Sequence, residues 1–173
     1  GTIEKAEQLG ARVVQFNWNG QFPKKKNWAL ENVDWKNEWV LILDADEHIT
    51  PPLAREISRI VKSDQYDGCF INRRFMFMGG WLKYCGYYPS WNLRLLKHDM
   101  GRYEKLEVSG DTKSGDNEVH EHIQMHCPEK RIGWLKHDML HYAYPDIAAW
   151  VEKHNRYSNW EARVINELHE NRD

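Results

Sequence analysis

Two carboxylates, Asp44 and Asp46, stand one residue apart directly after the apolar run of residues 39–43. Such a pair can share one divalent cation, and hard oxygen ligands favour Mg²⁺ or Mn²⁺ over softer metals. The ion would keep open positions for phosphate oxygens and offset the charge that builds on a departing diphosphate. Short acidic pairs are common in solvated loops. The pair therefore predicts a metal site only together with the strand before it and the capped helix after it.

A run of three lysines, ending at Lys26, precedes Asn27 just inside the start of an expected helix. Lysines at that position can reach an anionic phosphate, helped by the free N–H groups of the first helical turn. A solvated basic face explains the same residues equally well. A P-loop is excluded, because the chain has no GxxxxGK pattern.

A third set of ionisable residues is His120, Glu121 and His122. In a strand the two histidines share one face, and Glu121 points to the other. Glu121 is then a candidate general base that takes a proton from an acceptor hydroxyl. The two histidines could instead bind a metal as a same-face pair. The HExxH pattern of zinc proteases does not occur.

His141 ends a strand-like run shortly before the final helix. A neutral imidazole suits Mn²⁺ as a third protein ligand. A single histidine is more often a satisfied or surface residue, so His141 gains weight only beside the acidic pair.

These residues need a scaffold of alternating strands and helices. Gly10 suits the end of a first helix, and Thr50 suits the N-cap of a later one that begins with two prolines. The apolar run at 39–43 is typical of a parallel strand that is buried on both faces. The expected elements of the first part are helices at 2–9, 23–33 and 51–62 and strands at 12–16 and 39–43.

The remainder of the chain is expected to be richer in strands. Its pattern predicts strands at 69–78 and 91–96, a mobile polar loop at 98–118, strand-like pieces at 119–125 and 131–144, and a final helix at 145–168. The fold class is therefore α/β, with a mainly parallel sheet flanked by helices. Ligands bind at the carboxyl ends of strands in such sheets, which places the acidic pair on the functional edge.

The composition of the 173 residues is that of a globular domain, with 41% hydrophobic and 29% charged residues. The net charge of -2 provides no basic field for nucleic acid. The three cysteines lie apart, so a disulfide framework or zinc knuckle is not expected and a reducing cytosol fits best. No apolar run approaches the roughly 20 residues that a membrane helix needs.

Aromatic residues are the unusual part of the composition, with nine Trp, eight Tyr and five Phe. Such rings stack on sugar faces, but they also build cores. One group is expected either to line an acceptor cleft or to pack the second part of the chain. Its members are Trp81, Tyr84, Tyr87, Tyr88 and Trp91.

Several stretches together resemble a known family. They are residues 22–32 (FPKKKNWALEN), 39–47 (WVLILDADE), 91–96 (WNLRLL), 119–121 (VHE), and 141–142 (HY) followed by 153–158 (KHNRYS). Their order and spacing are similar to those of the family-2 inverting glycosyltransferases with the GT-A fold. The branch they resemble more closely includes bacterial lipopolysaccharide-core β-glucosyltransferases.

The resemblance implies roles for individual residues. By position, Asp44 and Asp46 are the DxD pair, which binds both the metal and the donor, and Asp46 is favoured over Asp44 as the direct metal ligand. The other roles that the resemblance implies are donor binding by Lys26 and Asn27, catalytic base for Glu121, metal binding by His141, and acceptor-side contacts for Arg94 and Trp91.

Two departures from the family pattern matter. The family begins with a strand and a D-x-x-S-x-D-G-T-like loop, and Gly1-Thr2 resembles the tail of that loop. We therefore expect an N-terminally truncated GT-A domain that lacks the uridine-binding half. Glu121 also stands where the family more generally has a Glu-Asp pair, so Asp116 and Glu118 remain rival bases.

The expected function is inverting transfer of a sugar from a nucleotide-sugar, a UDP-sugar, to a glycan or lipid-linked acceptor in lipopolysaccharide or cell-surface polysaccharide biosynthesis. The expected location is cytoplasmic, with peripheral association at the inner face of the membrane. A single domain at 1–173 is expected, with a donor and metal half at 1–66 and an acceptor half at 67–173.

Two other function classes remain open at this point. A truncated GT-A scaffold without activity could serve as a carbohydrate-binding or partner-binding module. A metal-dependent hydrolase could use some of the nine histidines. It is disfavoured because no compact HxH set with a distal aspartate has clear spacing.

Overall fold

The computed structural model describes residues 1–19, 22–105 and 122–170. Within these ranges the helices are α1 (Thr2–Gln8), α2 (Lys25–Asn32), α3 (Pro51–Ile60) and α4 (Ile147–Glu170). The strands are β1 (Trp39–Leu41), β2 (Glu47–His48), β3 (Gly68–Phe77), β4 (Gly80–Trp81), β5 (Trp91–Lys97), β6 (Gly101–Tyr103), β7 (Ile123–Met125), β8 (Ile132–Trp134) and β9 (Met139–Tyr144).

The long strand β3 is the centre of the larger sheet. The strand order is β1-β5-β3-β9-β2, and β4 and β8 also pair with β3. β8 and β9 run parallel to β3, whereas the pairs β1–β5, β3–β5, β3–β4 and β2–β9 are antiparallel. Strands from both parts of the chain therefore build one mixed sheet.

The prediction of a mainly parallel sheet is wrong, and the apolar run at 39–43 shows why. Only Trp39–Leu41 forms a strand, and it pairs antiparallel with β5 at one end of the strand order. Leu43 lies beyond it and is 44% exposed. Within the run only Val40 is buried, so the predicted burial on both faces is wrong as well. Strand direction and burial both depend on which distant segments pack against the run, and its local pattern does not specify them.

The predicted strand at 12–16 is also wrong, because residues 11–19 have no regular secondary structure. Val13 and Val14 are 37% and 45% exposed, and α1 has no buried residue. β-branched residues favour a strand only where a neighbouring strand supplies hydrogen bonds and packing. In the described part of the chain this segment has no strand partner.

Most of the other predicted elements are confirmed with small changes at their ends. The polar loop predicted at 98–118 is wrong at residues 101–103, which form β6, and residues 119–121 of the strand-like piece at 119–125 lie outside the described ranges. The strands at 69–78 and 91–96 form as β3 and β5. The piece at 131–144 divides into β8 and β9, and the final helix begins at Ile147. Asp146 precedes that helix, and its Oδ1 accepts from the Ala149 N–H at 2.8 Å, as an N-capping carboxylate does.

A second, smaller sheet consists of β6, which lies within the predicted polar loop, and β7. The two strands pair antiparallel, and residues 106–121 between them lie outside the described ranges. Met125 of β7 packs so closely on β3 that a Cβ at Gly68 would lie 2.7 Å from its Cε. The absence of a side chain at Gly68 therefore lets the small sheet cover the large one.

The helix α3 closes the other face of the sheet. Thr50 caps it by accepting from the Leu53 N–H at 3.4 Å, as its sequence predicts. Leu53 then enters the main buried cluster, whose other members are Cys69, Ile71, Leu95, Leu135 and Met139. No helix in the described ranges is both long enough and apolar enough to cross a membrane.

A buried carboxylate ties α3 to the segment between β8 and β9. Glu56 accepts from the backbone N–H groups of Lys136 and His137, each at 3.0 Å, and from the His137 ring at 2.7 Å. Burial by itself raises the pKa of Glu56, but these donors lower it below its usual 4.5.

We expect Glu56→Ala to lower the free energy of unfolding by about 1–3 kcal/mol, because it leaves two backbone donors without their acceptor. The folded-state pKa lies below the unfolded value, so the contribution is complete above about pH 4.5 and is lost as the pH falls through the folded pKa. Urea denaturation of wild type and variant between pH 3 and pH 7, values chosen to bracket that range, measures it.

The matched control is Glu7→Ala, which removes an exposed carboxylate from α1. Its unfolding should stay close to that of the wild type at every pH. An equal loss in both variants would contradict the role given to Glu56.

Candidate functional site

The two aspartates lie where the chain crosses the sheet. β1 and β2 stand at opposite ends of the strand order, so residues 42–46 pass from the β5 side to the β9 side. Ile42 N–H donates to the carbonyl of Arg94 at 2.8 Å, and Tyr142 N–H donates to the carbonyl of Asp46 at 2.8 Å. Asp44 therefore projects from a short segment held at both ends by strand-type hydrogen bonds.

An irregularity in β5 coincides with Arg94. Cys69 pairs with Leu95 and Phe70 pairs with Leu93, so Arg94 is the extra residue of a bulge. Bulges redirect side chains and are frequent beside functional sites. Here the side chain of Arg94 contacts residues 42–46, which are called the crossing segment below.

Arg94 joins two carboxylates in a nearly dry environment. Its Nη2 lies 2.7 Å from Asp44 Oδ2 and 2.7 Å from Glu47 Oε1. The residue is 5% exposed. Burial by itself lowers the pKa of Arg94, but the Glu47 and Asp44 carboxylates offset this and raise it above its usual value. The guanidinium is therefore a permanent positive charge beneath the acidic pair.

Glu47 is the most enclosed carboxylate of the site, and the sequence assigned it no role. Its side chain has 0% exposure. Besides Arg94, its Oε2 accepts from the Asp44 N–H at 2.9 Å, and Arg73 Nη1 lies 3.7 Å from its Oε1. The DADE spacing was the available signal, because Glu47 follows the aspartates directly.

Asp44 is held between two cations. Arg94 contacts one of its oxygens, and Lys26 Nζ lies 3.3 Å from the other. Partial burial by itself raises the pKa of Asp44, but Arg94 and then Lys26 lower it to about 2. The structure thus brings Lys26, Asp44 and Arg94 together. Arg94 was expected to contact the acceptor, and that role stays a prediction.

Asp46 faces a different pair of residues. Its Oδ2 lies 3.3 Å from His141 Nε2 and 3.9 Å from Lys153 Nζ. Burial lowers the pKa of His141, and the nearby positive charge of Arg73 lowers it further, although Asp46 acts in the opposite direction. The lowered pKa favours the neutral imidazole. Lys153 extends from α4, and the sequence placed it only within the family-like stretch at 153–158.

The fit to a divalent cation rests on Asp46 and His141. Their facing atoms, 3.3 Å apart, can share one ion, and Mg²⁺ is commonly bound by few protein ligands with waters and phosphate oxygens completing its shell. The nitrogen that faces the carboxylate is Nε2, and the buried Nδ1 atom has no hydrogen-bond partner in the described ranges. No group of three His, Cys, Asp or Glu residues that could hold a metal occurs in the described ranges. The metal-ligand roles of Asp44, Asp46 and His141 therefore all stay predictions.

Asn27 was predicted to bind the donor, but its side chain is almost fully buried. It is 1% exposed, and its amide both donates to the Tyr103 carbonyl and accepts from the Tyr103 N–H, each at 2.8 Å. These bonds join α2 to β6 and so hold Lys26, its neighbour, beside Asp44. Donor binding by Asn27 remains a prediction.

Trp91 and Tyr87 of the predicted aromatic group contact different partners. Trp91 is 36% exposed and meets Trp134 edge to face with ring centroids 4.9 Å apart. On α4, Trp150 Nε1 donates to the Tyr87 hydroxyl at 3.0 Å. Tyr87 contacts Phe75, which in turn packs on His141. The acceptor-side role of Trp91 is not tested by these contacts.

The proposed base and its rivals lie outside the described residues. This applies to His120 and Glu121 and to Asp116 and Glu118. His122 is described, and its Nδ1 lies 3.2 Å from Glu104 Oε1 on an exposed part of the surface. The structure therefore neither supports nor contradicts the His120–His122 metal pair.

Comparisons with known proteins relate part of the chain to glycosyltransferases. Over 66 residues, or 38% of the chain, it is 38% identical to an uncharacterized glycosyltransferase of Rickettsia bellii. It is 36% identical over 66 residues to an uncharacterized glycosyltransferase of Rickettsia felis. The match covers 21% and 22% of these two relatives, so the chain spans about a fifth of their length. No protein-family model and no solved structure matches the chain.

We expect the loss of either cation beside Asp44 to raise the pKa of its carboxyl from about 2 toward the usual 3.8. Arg94→Leu should cause the larger rise because its guanidinium is closer and more buried than the Lys26 ammonium. Carboxyl titration by NMR measures both variants.

Lys26→Gln is the milder change, and it provides the measurement even if Arg94→Leu folds poorly. Lys36→Gln, which removes an exposed lysine, serves as the control and should leave the titration unchanged. A pKa near 2 for Asp44 in both test variants would show that these cations do not set its charge.

Proposed function

We propose that this chain carries the metal-binding and acceptor part of an enzyme that transfers a sugar from a nucleotide-sugar to an acceptor hydroxyl. The observation that carries the proposal is the meeting of Asp46 and His141 beside an acidic segment that is flanked by lysines. The partial similarity to glycosyltransferases supports the reaction class. The resemblance to inverting family-2 enzymes supports a UDP-sugar donor, the GT-A fold and inversion at the anomeric carbon.

The donor diphosphate is the group that this charge arrangement suits. Asp46 and His141, with Asp44 as the third proposed ligand, would hold Mg²⁺ or Mn²⁺, which when bound offsets the charge on the leaving diphosphate. The Lys26 and Lys153 side chains are 18% and 28% exposed and stand on either side of the acidic segment. Both ammonium groups are placed to neutralise phosphate oxygens that the ion does not reach.

The acceptor step needs a base. We propose that Glu121 takes the proton from the acceptor hydroxyl, whose oxygen forms a bond to the anomeric carbon. The bond from that carbon to the diphosphate oxygen breaks in the same displacement, and the nucleoside diphosphate leaves with the bonding electron pair. Asp116 and Glu118 remain rivals for the role.

The acceptor we propose is a glycan or lipid-linked saccharide of the cell surface, such as a lipopolysaccharide precursor. Reaction at the cytoplasmic face of the membrane, with peripheral association, follows from that acceptor. This step rests on the family resemblance.

Calorimetry with Mn²⁺ and a UDP-sugar, followed by a transfer assay, both on the full-length natural protein, tests the reaction class. We expect Mn²⁺ to be required for donor binding. Saccharide binding without turnover would favour the alternative of an inactive carbohydrate-binding scaffold. Release of sugar to water with Zn²⁺ would favour a hydrolase.

We expect Asp46→Asn to reduce kcat/KM by about 100-fold or more, because it removes the carboxylate that faces His141 and weakens metal binding. Steady-state kinetics across a Mn²⁺ titration measure the loss and the shift in metal dependence. Asp34→Asn, at an exposed aspartate outside the site, should leave both unchanged. Equal activity in the two variants would exclude Asp46 as a ligand.

We expect Glu121→Gln to lose about 100-fold or more in turnover while keeping donor affinity, because an amide cannot take the acceptor proton. Single-turnover transfer and donor calorimetry separate the two effects. Asp116→Asn and Glu118→Gln provide the comparison. Normal turnover in Glu121→Gln, with loss in one of the other two, would move the base to that residue.

A further inference from the structure

The structure contains a fully enclosed carboxylate for which the proposed reaction has no use. Glu47 has a side-chain exposure of 0%, although an isolated buried charge is strongly unfavourable. Glu47 lies between Arg94 and Arg73, and it is the residue that follows Asp46 in the chain. A buried carboxylate needs compensating contacts, and the contacts of Glu47 show which parts of the structure it positions.

Glu47 and Asp44 hold each other through reciprocal hydrogen bonds. The Asp44 N–H donates to Glu47 Oε2 at 2.9 Å, and the Glu47 N–H donates to the Asp44 carbonyl at 3.0 Å. These two hydrogen bonds join the two ends of the segment from Asp44 to Glu47. A bond to an ionised carboxylate is roughly twice as strong as one between neutral groups.

The second oxygen of Glu47 competes for Arg94. One atom of that guanidinium, Nη2, lies 2.7 Å from both Glu47 Oε1 and Asp44 Oδ2. Because the positive charge is shared, Asp44 does not hold it alone. Without the Glu47 carboxylate, Arg94 would pair with Asp44 without competition and draw its carboxylate toward the sheet.

The backbone of Glu47 connects the turn to the other half of the metal pair. Glu47 stands opposite His141 in the β2–β9 ladder, and the preceding Asp46 carbonyl accepts from Tyr142. The direction of the Asp46 side chain relative to His141 therefore depends on how residue 47 is anchored.

We infer that Glu47 is a positioning residue, which acts through Arg94 and the Asp44 amide to set the geometry of the acidic segment and of the Asp46–His141 pair. It does not touch the substrate. The inference deepens the proposed function and rests on it for its catalytic consequence. Its structural part, the ordering of residues 42–48, is independent of the reaction.

The test compares Glu47→Gln and Glu47→Ala with Glu56→Gln as the matched control. Glu56 is also a buried glutamate that accepts from two backbone N–H groups, but it ties α3 to the β8–β9 segment. Its loss lowers stability without touching the crossing segment. Two Glu47 variants are used because the alanine replacement removes all acceptors, whereas glutamine keeps the shape and removes the charge.

Hydrogen exchange measured by mass spectrometry provides the first readout. We expect exchange in residues 42–48 to rise about tenfold or more in both Glu47 variants, and to rise there by more than in β3 and β5. The Glu56→Gln control should leave that segment as in the wild type. Unchanged exchange at 42–48, or the same change in the control, would overturn the inference.

Transfer kinetics provide the second readout. In Glu47→Gln we expect kcat/KM to fall about tenfold or more and the Mn²⁺ concentration for half-maximal activity to rise by a similar factor, with near-wild-type values in Glu56→Gln. If the wild-type protein had no transfer activity, the proposed function would be wrong. The hydrogen-exchange result would still decide whether Glu47 positions residues 42–48. An active Glu47→Gln variant with wild-type kinetics and metal dependence would overturn the catalytic part alone.

Discussion

A buried ion pair between Glu47 and Arg94 is the interaction on which the site depends. Both side chains are almost completely removed from water, and their nearest atoms are 2.7 Å apart. Removing one partner of such a pair costs about 3–5 kcal/mol, because the remaining charge stays buried without compensation. The pair also fixes the chain where it crosses the sheet. Stability and site geometry therefore have a common origin here.

The charges around the crossing segment differ in how firmly they are held. Arg94 is enclosed and lies beneath the carboxylates, whereas Lys26 and Lys153 are partly exposed and belong to helices on either side. The lysine nitrogens lie 3.3 and 3.9 Å from their carboxylate oxygens, against 2.7 Å for Arg94, so they are the less tightly held cations. One enclosed cation and two partly exposed cations around the segment suit a ligand that brings its own negative charge.

The mixed sheet explains how distant parts of the chain meet at one place. β1 and β2 pair with β5 and β9, and the Asn27 amide joins α2 to β6. The site residues are therefore far apart in the sequence, with more than 100 positions between Lys26 and Lys153. Activity and acceptor choice belong to the proposed function.

The sequence alone determined the local features of this protein. It predicted the strand before Asp44, the Thr50 cap, the long β3 and β5 strands and the final helix, because these follow from apolar periodicity and capping chemistry between near neighbours. It also selected Asp44, Asp46, Lys26, Arg94 and His141, which the structure brings together. Only the tertiary structure decided that the sheet is mixed, that residues 12–16 form no strand, and that Glu47 is buried against Arg94. Those outcomes depend on pairing between segments far apart in the chain and on a bulge that redirects one side chain, and neither is encoded in local spacing.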